Sequence, residues 1–154
     1  MAHMVIESAI EVFARGFAFT RSFTHPYIAE RIVPGVWVLR DAPRARGSYR
    51  GEEYVAHGVP AAVLDAIARQ HTRDRFRLCA VRGADEPDAD IRADFRALGY
   101  RLTTAEPLMI HRLGMLGPMD GPFPVTRVTT QAEAELLRKA AGSRQILPEH
   151  LMTD

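Results

Sequence analysis

Four arginines crowd one short stretch, RDAPRARGSYRGEE, at Arg40, Arg44, Arg46 and Arg50. Guanidinium groups at such density can hold an anionic ligand or an acidic partner surface, because each presents a planar fork of donors that suits carboxylate and phosphate. Asp41, Glu52 and Glu53 lie beside them, so a solvated loop that neutralises itself with local ion pairs is the stronger expectation. The histidines are the next candidates for chemistry. His25, His57, His71, His111 and His150 show no paired spacing for a metal, and polar satisfaction at strand or helix ends accounts for each. No residue is assigned a catalytic, cofactor-binding or metal-binding role. The candidates kept for anion or acceptor binding are Arg40, Arg44, Arg46, Arg50 and His57. Cys79 sits in the apolar run LCAV and reads as inert core, and Trp37, flanked by valines, reads as a core anchor. A single cysteine excludes an intramolecular disulfide framework and any cysteine-based metal cluster.

The elements that must position these residues follow from periodicity. Ile6, Ile10, Phe13 and Phe17 recur at helical spacing, which predicts an amphipathic helix over residues 5–19. Residues 20–34 are broken by Pro26 and Pro34, with Tyr27, Ile28 and Ile32 readable as a short helix lying on the core. The run VWVL at 36–39 is β-branched and aromatic, hence a strand, and 53–57 forms a second strand paired with it. Gly58 and Pro60 punctuate its end. A helix over 61–71 and a strand over 76–81 complete a βαβ unit, whose crossover is almost always right-handed.

Residues 91–113 carry the densest set of local signals. Ile91, Phe95 and Leu98 make one apolar stripe, the acidic residues Asp85, Glu86, Asp88 and Asp90 suit the positive end of a helix dipole, and Pro87 fits a first turn. Gly99 stands where the helix must stop, and a left-handed glycine there lets Tyr100 fold back onto Phe95. Two strands are expected next, over 100–103 and 108–113, separated by a turn at Glu106-Pro107. The order through residue 113 is therefore α-β-β-α-β-α-β-β, a mixed sheet with helices on its faces.

With 154 residues, 47% of them hydrophobic and 25% charged, the chain has the composition of a globular domain with a sizeable core. A net charge of +1 gives no global pull toward nucleic acid or anionic lipid, and the arginines are not interleaved with aromatics. No run approaches the roughly 20 apolar residues that span a bilayer, and the start lacks the pattern of a signal peptide, so a cytoplasmic location is expected. Residues 1–3 read as a remnant of expression. Residues 114–124 hold three glycines and three prolines and mark a linker. Beyond it, 125–128 reads as a strand, and Thr130 with Glu133 forms a capping box that opens a helix running to Gly142. Residues 125–154 are too few to bury a core and read as the opening of an incomplete second domain.

From the second strand onward the chain resembles the GNAT superfamily of acyl-CoA-dependent N-acetyltransferases. The resemblance rests on Asp94, Phe95, Arg96, Ala97, Leu98, Gly99, Tyr100 and Arg101, followed by the strand expected over 108–113. The stretch RVTTQAEAELLRKAAG at 127–142 likewise looks like the opening strand and helix of such a domain. The resemblance implies a GNAT-like fold for residues 4–113 and the start of another over 125–154. It implies acetyl transfer from acetyl-CoA to an amine in the parent protein. In the family, an Arg/Gln-x-x-Gly-x-Gly/Ala loop cradles the cofactor pyrophosphate with backbone N–H groups at a helix start. Here the matching place reads VAHGVP at 55–60, with one glycine and a proline that removes a donor. A partial match, RARGSY at 44–49, puts Tyr49 where a small residue belongs. The resemblance thus points to a structural or acceptor-site role, with acetyl-CoA not bound tightly by this chain. Read this way, the four arginines could meet CoA phosphates, and His57 ends the strand that would line the cleft. A non-catalytic GNAT-like module that dimerises or binds a partner is the alternative, and either a homo-oligomer or a missing C-terminal domain would cover the apolar residues Leu136, Leu137, Ile146 and Leu147.

Overall fold

A computed structural model describes residues 2–22, 25–44, 47–109, 127–140 and 142. The chain divides into two compact units, Met1–Ala105 and Glu106–Asp154. The first contains α1 (Ala2–Arg21), β1 (Tyr27–Val33), β2 (Val36–Asp41), β3 (Glu52–His57), α2 (Ala61–His71), β4 (Phe76–Val81) and α3 (Ala89–Ala97). Its sheet has the order β1-β2-β3-β4, antiparallel at the first two junctions and parallel at the last. The second unit contributes α4 (Gln131–Ala140). The class is mixed α/β, as the periodicities imply.

The sheet sorts its side chains by the two-residue alternation of extended chain. On one face Tyr27, Trp37, Leu39 and Val55 meet Ile10, Ala14 and Ala18 of α1. On the other, Val36, Val38, Tyr54 and Ala56 meet Leu64 and Ala68 of α2. The helical stripe of α1 and the βαβ unit formed by β3, α2 and β4 match the sequence reading. The layered core is what fixes the positions of β2 and β3, and with them the ends that carry the candidate residues.

β1 is a correction. Residues 27–33 form a strand and not a short helix, and the two prolines read as breakers are its boundaries. Pro26 precedes it, and Pro34-Gly35 makes the tight turn into β2, with Gly35 at φ +76°, the residue pattern of a type II turn. Val33 pairs with Val36 across that turn, and a bulge sits between Arg31 and Val33. Antiparallel pairing along β2 supplies the backbone partners that an isolated short helix would have lacked.

At the end of α3 the expected cap forms. Gly99 has φ +86°, its N–H donates to the Arg96 carbonyl at 2.9 Å, and the Tyr100 N–H donates to the Phe95 carbonyl at 2.9 Å. The Phe95 and Tyr100 rings meet edge to face with centroids 5.9 Å apart. The helix itself begins at Ala89, two residues after Pro87, and Phe95 packs against the α2-side core. Beyond the cap the expectation fails. Residues 101–109 are exposed and form neither a strand nor the turn at Glu106-Pro107. An extended segment needs a neighbouring strand to hold β geometry, and among the described residues none pairs with this one. Residues 110–113, the linker at 114–124 and residues 125–126 lie outside the described residues, and Arg127 and Val128 are not in a strand. In the second unit, the Glu133 N–H donates to Thr130 Oγ1 at 3.3 Å and the Thr130 N–H donates to Glu133 Oε2 at 3.2 Å, which is the reciprocal capping box. Gly142 follows α4 at φ +67°.

Candidate functional site

The candidate residues fall at the two ends of β3, the arginine loop leading into Glu52 at its start and His57 at its finish. At the first end the arginine loop leaves β2 at Asp41 and returns to β3 at Glu52. Asp41 is the hub. Its side chain is fully buried, and it accepts from the Arg44 guanidinium, from the Arg50 N–H at 2.8 Å and from Arg50 Nε at 2.6 Å. Arg50 reaches further, donating to the carbonyls of Arg21 at 2.8 Å and His25 at 2.9 Å, and its guanidinium lies over the Tyr27 ring. One side chain thus joins the last residue of α1, the lead-in to β1 and the end of β2. Burial works to raise the Asp41 carboxyl pKa, but the hydrogen bonds from Arg50 and the charges of Arg50 and Arg44 outweigh it and hold the group below its ordinary value.

Arg40 points to the opposite face of the sheet. Its Nε donates to Glu30 Oε2 at 3.1 Å, and its Nη1 lies 3.9 Å from Glu52 Oε1. Glu52 is buried, and its Oε2 accepts from the Tyr54 hydroxyl at 3.1 Å. Burial, followed by the charge and hydrogen bond of Glu52, drives the Tyr54 pKa upward. Of the ion pairs anticipated for the loop, those to Asp41 and Glu52 form, while Glu53 pairs with Arg21 of α1 at 3.3 Å. Arg46 lies outside the described residues.

Sequence reasoning did not single out Arg73, from the α2–β4 connection. Its Nη1 donates to the Asp41 carbonyl at 3.0 Å, and its guanidinium lies over the Tyr49 ring, as does that of Arg44. No local pattern marks it, since its partners are more than twenty residues away in sequence. The loop is therefore clamped from within. Arg40, Arg44 and Arg50 each direct donors to protein acceptors, while Arg44 Nε is buried without a hydrogen-bond partner among the described residues.

At the other end of β3, His57 stands beside Val81 of β4 at the carboxyl ends of the parallel β3–β4 pair, the side of an α/β sheet on which ligands usually bind. Its side chain is only 8% exposed. Nε2 lies 4.0 Å from Glu86 Oε1, beyond hydrogen-bond reach, and Glu86 is anchored by Arg82 Nε at 3.1 Å. Gly58 then turns the chain with φ +69°, and α2 opens on Pro60 without a side-chain cap. This short connection does not provide a glycine-rich pyrophosphate cradle. One glycine is present, Pro60 offers no N–H, and β3 and β4 stay paired in register from Glu52 and Phe76 to His57 and Val81. The residues here do not fit acetyl-CoA bound by a phosphate loop.

A shallow surface cleft of about 190 Å³ is lined by Glu7, Ser8 and Glu11 of α1, Arg31 of β1 and Trp37 of β2. Its charges are already matched. Glu7 pairs with Arg31 at 3.1 Å, Glu11 pairs with Arg15 at 2.8 Å, and the Arg15 guanidinium lies over the Trp37 ring. Trp37 is buried in the α1-side core, as a core anchor should be. Cys79 is a correction, because it is exposed. It shares with Arg77 the α1 side of β4, and α1 packs on β1, β2 and β3, leaving that part of the edge strand uncovered. An apolar run alone does not say which face of a strand is covered.

His25 Nε2 lies 3.2 Å from the Ala42 carbonyl, in keeping with polar satisfaction at a strand end. His111 and His150 lie outside the described residues. Among the described residues no three His, Cys, Asp or Glu side chains converge as metal ligands, and no helix is long and apolar enough to cross a membrane. The sequence matches no protein-family model, no curated protein and no solved structure.

Proposed function

We propose that this chain is the N-terminal part of a GNAT-type N-acetyltransferase, with its first unit serving as a structural or acceptor-side element while acetyl-CoA is held by other residues of the parent protein. The observation that carries this reading is the junction of α3 with Gly99 and Tyr100. It forms the glycine cap expected at the end of that helix, and it follows strands and a helix in the order β-β-β-α-β. The division of labour is supported by the β3–α2 connection, which lacks the cradle, and by arginines committed to Asp41, Glu30 and Glu52. On this reading the chemistry of the parent is acetyl transfer to an amine, and the contribution of residues 4–113 is to position and shield. Cytoplasmic residence is part of the same proposal.

The test is a calorimetric titration of acetyl-CoA into the purified chain, paired with translation of the DNA that follows the codon for Asp154. Absence of saturable heat, together with an in-frame Arg/Gln-x-x-Gly-x-Gly/Ala segment downstream, is the expected outcome. Micromolar binding by the chain itself would overturn the division of labour. A second reading, a non-catalytic module that pairs with itself or with a partner, is favoured by the exposure of Leu136 and Leu137 on α4. It predicts the same calorimetric silence without the downstream segment, and a concentration-dependent mass in sedimentation.

A further inference from the structure

We draw no further inference here: the strongest candidate, the outer edge of β4 with Arg77 and Cys79 exposed on one of its faces, carries nothing because nothing in the structure shows what covers it.

Discussion

The start and the finish of β3 are five residues apart and solve opposite problems. At the start, the buried Asp41 carboxylate pairs with Arg44 and Arg50, the buried Glu52 carboxylate has Arg40 at 3.9 Å, and Arg73 donates to the Asp41 main-chain carbonyl. At the finish, His57 Nε2 lies 4.0 Å from the exposed Glu86 carboxylate, and the chain turns on a glycine into a helix without a side-chain cap. At the more highly charged end, Arg40, Arg44 and Arg50 each already have a protein acceptor. A dense run of arginines in a sequence is therefore a poor guide to function until their acceptors are known, because one buried carboxylate can engage several of them.

The comparison is most easily broken at its hub. Replacing Asp41 with Ala leaves the Arg44 and Arg50 guanidiniums without their shared partner, and breaking a buried pair in this way costs about 3–5 kcal/mol. Urea denaturation followed by circular dichroism should register the loss. A change below about 1 kcal/mol, typical of exposed ion pairs, would place the loop on the solvated side of the comparison after all.

Acid gives a second, smaller handle. Because the folded pKa of Asp41 is depressed, the unfolded chain takes up its proton first as pH falls. The stabilisation from this group is complete above the unfolded value near 4 and disappears as pH drops through the lower folded value. Stability measured from pH 6 downward should therefore decline, and Asp41→Asn should flatten part of that decline. Asp65, held low by hydrogen bonds from Arg69 and Tyr100, and Glu133, held low by the Thr129 N–H and the Thr130 hydroxyl and N–H, would sustain the remainder. An unchanged slope in the Asp41→Asn protein would show that the hub does not titrate as its contacts require.

The finish of β3 should be nearly indifferent. Glu86→Gln removes a partly exposed carboxylate from Arg82 and from the neighbourhood of His57, and a shift within about 0.5 kcal/mol is expected in the same denaturation assay. A loss as large as that at Asp41 would erase the distinction between the two ends.

How much of this was legible in the sequence depended on the range of the interaction. Local signals read true: the Gly99 cap and the Thr130–Glu133 capping box rest on contacts within five residues, and the stripe of α1 and the elements of the βαβ unit show in local periodicity, although β3 and β4 pair across the whole of α2. β1 was obscured because Pro26 and Pro34 look alike whether they break a helix or bound a strand, and only pairing with β2 decides. Residues 100–103 alternate as a strand should, yet alternation supplies no partner. The candidate site was legible as a list of residues and not as a geometry. That Asp41 would absorb Arg44 and Arg50 was visible as a neighbourhood. That Arg50 would also reach Arg21 and His25, and that Arg73 would arrive from another connection, depended on how the layers stack.

The clamp at the start of β3 is tested most directly by a double-mutant cycle on Asp41 and Arg50, with Asp41→Asn, Arg50→Gln and the pair compared by urea denaturation. A structural clamp predicts that the two losses are strongly non-additive, with a coupling energy of about 2 kcal/mol, near the upper end for residues sharing a buried network. Additive losses, with a coupling near zero, would mean that Arg50 and Asp41 stabilise the chain independently and that the arginine loop is available for other partners.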